Sequence, residues 1–594
     1  MARFWVGGTG NWDASTTTNW SATSGGAGGA SVPDSTQDVT FDTSSNGAAY
    51  TVTITATANC ANLTVGAPAV GDLTLAGSSA LNVYGNFALY ATLVRTYTGA
   101  ITFASTATGK TLTFAGITMA SATTFNGVGG GWTCQDAWNN GASNITLTNG
   151  TLNTNGQTIT CATLDSANSN IRTLTLGAST ITCTNWTFNT TTNLTFNANT
   201  STINCSNNYR SDTGLTYNNV VITGTSPIFG VDTYANLTIT GPASKTSQPA
   251  FNGTVTITTL FTCNGNSSVN RLLLNSNVGV GFGTAITISA ASVSISNTDF
   301  RDITGAGAAS WDLSAITCGS GNCGGNSGIT FTTAANQYWH VDGGSWSDTS
   351  KWFLASNGLG GAGRVPLPQD TAIFDVDSFD SAAQTITQDM PRIGTVNWTG
   401  VDNTPTFTTS TTTGVYGSVT LVAGMTLTAS TQAYTFNGRG SNTLTMAGNT
   451  FAKNVTVTAP GGTLTLQDAL TLGTTNTLTL TFGTLNANNQ NISTGLFSSN
   501  NSNTRTLTMG SGTWTLTGSG TVWQCSTITG LTVNENTSTI TLNDASSTTK
   551  TFAGGGETYN NILLAGTGTG TFDFTGSNTF NDFAATSPPH SIRF

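Results

Sequence analysis

Three carboxylates fall within six positions in "FDVDSFD": Asp375, Asp377 and Asp380. A D-x-D-x-x-D run can hold a calcium ion, although this one lacks the glycine and distal glutamate of an EF-hand loop. Paired carboxylates are also the machinery of glycoside hydrolysis, and "NTDFRD" adds Asp299 and Asp302. The competing reading is turn chemistry, in which Asp accepts hydrogen bonds from nearby backbone N–H groups. Asp375 has a counterpart in Asp42, whereas Asp377 and Asp380 have none, and turn chemistry is the preferred reading. Cys318 and Cys323, in the glycine-rich "CGSGNC", are close enough for a local disulfide under oxidising conditions. A metal site there needs further ligands, and the sequence places none nearby. The only histidines, His340 and His590, stand near no nucleophile motif. No glycine pattern joins a strand to a helix as a nucleotide site requires. The expectation is a non-enzymatic chain with no catalytic residue and no cofactor, calcium being the one candidate ion.

The scaffold for such groups is bounded by composition. Charged residues make up 7% of 594, against roughly a quarter in an ordinary soluble domain. Lys and Arg number 16 and Asp and Glu 26, a net charge of −10. With no basic run to displace phosphate counterions, nucleic acid is not an expected partner. No run of about 18 apolar residues occurs, so membrane insertion is not expected. "MARFWVGGTG" has no apolar signal-peptide core. That lack of a signal core points towards synthesis in a reducing cytoplasm, and the nine cysteines cannot all pair within one chain. Polar low-complexity chains are often disordered. Here "TVTIT" (51–55), "TLTLG" (173–177) and "TLTLTF" (477–482) alternate strictly, as strands with one buried face do.

Repeats occur at two scales. "TITC" (158–161) recurs as "TITC" (180–183) and "TINC" (202–205), so that Ile159, Ile181 and Ile203 fall at a constant step (181 − 159 = 203 − 181 = 22). A period of that length with strand–turn–strand content predicts the rung of a β-solenoid. Like residues would then stack about 4.8 Å apart, with Asn and Thr ladders at the turns. At the larger scale, "FWVGGTGNWDASTTTNW" from Phe4 returns as "YWHVDGGSWSDTSKWF" from Tyr338, and "VPDSTQDVTFD" returns as "VPLPQDTAIFD". "GTLNTNGQTIT" (150–160) returns as "GTLNANNQNIS" (483–493), an offset of 483 − 150 = 333. The expected fold is all-β: two tandem parallel β-solenoid modules with Trp-rich N-terminal caps. Residues 1–45 form the first cap, 46–335 the first module with its closing segment, 336–378 the second cap and 379–594 the second module. No counterpart of the closing segment follows the second module. Its last rung is therefore read as uncapped, either part of a longer chain or covered by another subunit.

The duplication also tests candidate residues. Trp132, Cys134, Trp138 and Cys183 stand where the second half has Leu464, Leu466, Leu470 and Leu516. Residues that exchange with leucine belong in a core, so these cysteines read as small buried hydrophobes. Trp5, Trp12 and Trp20, and their counterparts Trp339, Trp346 and Trp352, could be platforms for a sugar. Their return immediately before a fresh run of rungs favours a cap over the first rung's open core.

The motif W-x-G-G-x-G-x-W…NW, the following VP…D…FD, and the closing "DITGAGAASWDLS…NCGGNSGITF" resemble β-solenoid proteins of two kinds. These are tailed-bacteriophage virion fibres and appendages, and autotransporter-type bacterial surface adhesins. The resemblance implies a structural or adhesive rod and carries no catalytic residues. It implies a virion-surface location, with the bacterial surface as the alternative, and as partners a homo-oligomer (a trimer), other virion proteins or a cell-surface glycan. Stacked in one column, the rungs would extend on the order of 100 Å. A polysaccharide-degrading tailspike and an ice-binding solenoid are the remaining alternatives. Arg172 and Tyr209, read as outward-facing, would break the flat threonine face that ice binding needs.

Overall fold

The computed structural model describes residues 1–67, 72–225, 227–278, 282–586 and 591–594. The described residues are all β apart from one 3-10 turn at Ile316–Cys318, and they form a parallel β-solenoid of about 25 turns. The sequence period becomes direct register: Ile159 pairs with Ile181 and Ile181 with Ile203, and Cys161, Cys183 and Cys205 stack in the same way. The strand Thr180–Phe188 shows the cause, with Ile181 and Cys183 buried and the intervening residues more exposed. Outside, neighbouring turns are joined by asparagine ladders. Asn82 donates to Asn59 (3.0 Å), Asn149 to Asn126 (2.8 Å) and Asn236 to Asn219 (2.8 Å). Each amide supplies both a donor and an acceptor along the stack axis, so a column of them satisfies itself.

The described strands divide into two stacks. From Ala2–Trp5 to Gly321–Asn322 they belong to one large sheet and one small one; from Asn336–Trp339 to Ile592–Arg593 they belong to three others. The hydrophobic clusters divide in the same way, one from Trp5 to Leu313 and one from Trp339 to Phe574. Corresponding positions of the two halves make the same bonds. Arg172 is buried and donates through Nε to Ser166 Oγ (2.7 Å) and through Nη1 to the carbonyls of Asn170 and Thr192 (both 2.8 Å). Arg505 repeats this with Ser499 Oγ, Asn503 and Thr529. Leu464, Leu466, Leu470 and Leu516 are buried, as are the Trp and Cys residues that occupy their places in the first half.

Two sequence expectations need correction. Arg172 and Tyr209 do not face outward. The arginine enters the interior where four carbonyls (Ser166, Asn170, Thr190 and Thr192) and a serine hydroxyl replace its water, and Tyr209 lies inside with its hydroxyl 3.2 Å from that of Tyr234. Nor do the rungs form one column. The second stack lies against the side of the first. Arg392 and Arg439 are separated by two rungs, through the pairings Arg392–Gly414 and Gly414–Thr435. They reach Asp299 and Asp302, which lie close together in one rung. Arg392 alone spans three successive rungs of the first stack, donating to Lys245 O (3.4 Å), Arg271 O (2.9 Å) and Asp299 Oδ2 (2.6 Å), while Arg439, two rungs later in its own stack, still reaches Asp302 beside Asp299, so the second axis runs across the first. The stacks cross.

The tryptophan motifs end each parallel ladder. Ala2–Trp5 is flanked by Asp38–Phe41 in parallel and by Trp20–Ser21 in antiparallel register, with Trp5 opposite Trp20. Asn336–Trp339 has the same two neighbours, Thr371–Ile373 and Trp352–Phe353. An antiparallel return supplies an edge that no further parallel rung follows. The indoles pack edge to face: Trp5–Trp20 at 5.0 Å and 88°, and Trp339–Trp352 at 5.1 Å and 83°. All six are at most 1% exposed, which leaves no ring face for a sugar. Replacing Trp20 or Trp352 by Ala should cost about 3–5 kcal/mol through the lost burial and the cavity left behind. Denaturant titration checks this; an unchanged midpoint would show that the rings do not hold the end of the stack.

Candidate functional site

The three aspartates of "FDVDSFD" do not converge on an ion. Asp375 Oδ1 accepts from the backbone N–H of Asp377 (3.1 Å) and from Ser378 Oγ (3.3 Å), and Ser378 Oγ in turn accepts from the Asp375 N–H (2.9 Å). Asp42 and Ser45, their counterparts in the first half, make the same turn. Asp377 accepts from Ser356 Oγ at 2.9 Å, and the N–H of Asp380 donates to Asp342 at 3.0 Å. Among the described residues no three His, Cys, Asp or Glu groups are placed to hold a metal. The residues present do not fit calcium, because Asp375 closes its own turn, Asp377 is bonded to Ser356 and Asp380 enters through its N–H, so the three carboxylates share no site.

Cys318 and Cys323, the candidates for a local disulfide under oxidising conditions, are both free thiols here. Their backbones belong to different neighbours. The Cys318 carbonyl accepts from the Asn297 N–H (2.7 Å), while Cys323 follows the Gly321–Asn322 strand and donates to Phe300 O (2.9 Å). Alternation along that strand turns Cys323 fully inward, where burial pushes its thiol up to about 12. His340 Nδ1 lies 2.8 Å from the Asp377 carbonyl and packs against the edge of Phe353, so it fixes the second tryptophan motif. His590 lies outside the described residues.

The dense cluster of charge lies where the stacks cross. Asp299 is buried and receives Arg271 Nε at Oδ1 (3.0 Å) and Arg392 Nε at Oδ2 (2.6 Å), one arginine from each stack. Arg392 also donates to the Arg271 carbonyl at 2.9 Å. Asp302 accepts Arg439 Nη2 at both oxygens, at 2.9 and 2.7 Å, and the Gly283 N–H at Oδ2 (3.0 Å). Lys245 pairs with Asp389 at 2.6 Å, and Gln369 donates to the carbonyls of Ser320 and Thr332. Burial alone would raise the Asp299 carboxyl; the two guanidiniums outweigh it and hold it below its ordinary value. Asp299 and Asp302 were legible as carboxylates but not as ion-pair partners. Arg392 and Arg439 carried the missing signal: at the corresponding positions the first half has Asn59 and Thr106. A charge present in one copy marks something the repeated rung itself does not need. A cleft of about 520 Å3 opens beside this cluster, lined from both stacks by Arg301, Arg392, Tyr416, Gln432 and Asn437 among others.

One further ionisable group is buried without a carboxylate. Lys453 Nζ donates to Thr409 Oγ1 (2.9 Å) and lies over the rings of Tyr434 and Phe451. Burial lowers its pKa to about 8.

No family model, curated protein or solved structure matches this chain. Its class is therefore set by its fold, the parallel β-solenoid.

Two outcomes follow. Asp299→Asn leaves Arg271 and Arg392 buried without their anion and should cost about 3–5 kcal/mol. Because the folded carboxyl titrates below its ordinary 3.8, the Asp299 contribution is complete above that pH and lost as pH falls through the folded value. Melting curves of the wild type and the variant should accordingly converge only in strong acid; a gap that closes by pH 5 would contradict the ion pair. Lys453 has the opposite profile. Between about pH 8 and 10.5 the unfolded chain holds a proton that the folded chain has released, so stability rises with pH. Lys453→Met should abolish that rise and stabilise the protein near neutrality by on the order of 2 kcal/mol, read as an increase in Tm.

Proposed function

We propose that this chain is a structural or adhesive solenoid, and specifically a virion fibre or appendage that assembles as an oligomer on a bacteriophage particle. The observation that carries the reading is the parallel stack of about 25 turns, whose outer asparagines bond to one another across the rungs. A backbone ladder running through successive turns transmits force along its axis and presents a repeating side face. That architecture is compatible with holding or attaching a particle. The ion pairs from Asp299 and Asp302 clamp the second stack across the first, as an appendage that keeps a fixed shape under load requires. The tryptophan motif and the closing glycine-rich segment support the phage kind through the resemblance described above.

The test is localisation and assembly. Cryo-electron microscopy of purified particles should show the crossed stacks as a projecting element, and light scattering of the recombinant chain should give a mass above 60.7 kDa, that of a trimer. Labelling of the bacterial envelope in cells free of phage would move the chain to the surface-adhesin class. A monomer that cleaves polysaccharide would overturn the structural reading.

A further inference from the structure

The duplication makes each stack a control for the other, and one corner of the rung differs between them. In the second stack this corner carries Pro460, Gly483 and Thr504 on successive rungs. It meets the first stack: a Cβ on Gly283 would lie 2.9 Å from Pro460 Cβ. Pro460 and Thr504 also line a cleft of about 540 Å3 together with Phe282 and Thr284 of the first stack. The corresponding corner of the first stack carries Val128, Gly150 and Ile171. Its backbone is the same. Gly129 and Gly461 both have positive φ, 77° and 72°, and the Gly150 and Gly483 N–H groups donate to the carbonyls of Ile171 and Thr504.

The surroundings of the two corners differ. Val128 is 70% exposed and Ile171 77%. Apart from the terminal residues Met1 and Phe594, no large apolar side chain among the described residues is more exposed. The rung does not need them, because the second stack builds the same corner with proline and threonine. Thus the docked corner is the less apolar of the two, and the bare corner displays two branched aliphatic side chains to water, which is the mark of a surface that is covered by a partner. Charge is absent here as well. Asp136 is the one charged residue from Thr111 to Leu164, and the N–H groups of Phe114 and Ala115 hold it. Arg172, next to Ile171, is buried. In a chain of net charge −10, this is a place where two copies approach without like-charge repulsion.

We propose that the Val128–Ile171 corner is a contact between copies of this chain, with the corners of neighbouring copies side by side about the assembly axis. Val128 then forms one apolar layer and Ile171 a second, two rungs or about 10 Å further along. Gly150, between them, has no side chain and lets the backbones approach. The partner is a second copy because the matching corner of the second stack already docks on a solenoid flank supplied by this same chain. Another solenoid also shares the rung spacing that sets the distance between the two layers. Asn126 and Asn149, bonded to each other at 2.8 Å beside the corner, supply a polar rim around these apolar anchors. The inference rests on the oligomeric reading above and names its contact.

The test is light scattering and sedimentation of the purified full chain, wild type against Val128→Asp, Ile171→Asp and the double variant. The wild type should be oligomeric. Each single substitution should weaken self-association by at least about thirtyfold, and the double variant should sediment as a 60.7 kDa monomer. Leu359→Asp, at a residue 63% exposed in the second tryptophan motif, should leave the mass unchanged; an equal loss there would make the association non-specific and overturn the proposal. Both corner side chains face solvent in the single chain, so the Tm of the dilute, dissociated protein should not move. Should an aspartate variant melt lower, cross-linking decides. Ile171→Cys should join copies through a short bismaleimide, and the wild type, whose cysteines are buried apart from the half-buried Cys318, should not. An oligomer that survives the double substitution, or no cross-link above the wild-type level, overturns the corner contact and leaves the oligomeric reading standing. A wild type that stays monomeric at high concentration overturns both.

Discussion

The structure depends on one constraint: successive rungs must stack in register about 4.8 Å apart. Once Ile159, Ile181 and Ile203 lie over one another, every other position in the rung is stacked as well. Apolar residues then build a continuous core, and outward amides form columns that satisfy themselves. The same constraint governs the polar groups that turn inward. Arg172 and Arg505 are tolerated because the corner beneath each presents carbonyls from its own and the neighbouring rung. Asp136 and Asp468 play the complementary part, each accepting the N–H groups of two residues one rung earlier, Phe114 with Ala115 and Met446 with Ala447. The second residue of each pair has positive φ, 53° at Ala115 and 51° at Ala447. A carboxylate from the next rung holds a backbone conformation that alanine alone disfavours.

A ladder that can grow by stacking must also be stopped. The tryptophan motif does so with a strand of opposite direction and three indoles that close the open core. Glycine enters this architecture where rungs approach most closely. At Gly483, with φ of 76°, an added Cβ would lie 2.0 Å from the Ala459 carbonyl. Gly150, its counterpart in the first half, meets the Gly127 carbonyl at 2.6 Å. Neither position admits another residue without moving the rung beneath it.

The crossing is built from a different material. Stacking by itself needs no ion pair, yet five basic residues and three carboxylates concentrate where the stacks meet. Buried ion pairs add little net stability over an apolar contact, because desolvation offsets the Coulomb gain. They do fix orientation: Asp299 joins one arginine from each stack, and the pairing is satisfied in one alignment. This explains how two stacks with self-sufficient cores hold a defined angle, and why a cleft with uneven charge is left between them.

Much of this was legible because a repeat is a local property. Period-two alternation, the constant step from rung to rung and the duplication of the whole module determined the strands, their register and the end motifs. The exchange of Trp and Cys with Leu identified core residues correctly. The limits were of two kinds. Side-chain direction at a corner depends on which carbonyls fold over it, so Arg172 was placed outside when it lies inside; Tyr209 lies inside because it stacks in register on Trp186. Cys318 and Cys323 are close in sequence, and the structure adds that different neighbours hold their backbones, Asn297 and Phe300. The sequence by itself determined the rung, since a rung is made from near neighbours whose pattern repeats. Only the tertiary structure decided that the stacks cross, that Asp299 and Asp302 serve ion pairs, and that Arg301 is buried beside them on Asn275 and Phe282. Those contacts join residues far apart in the chain that occur once, and a feature that occurs once leaves no period to read.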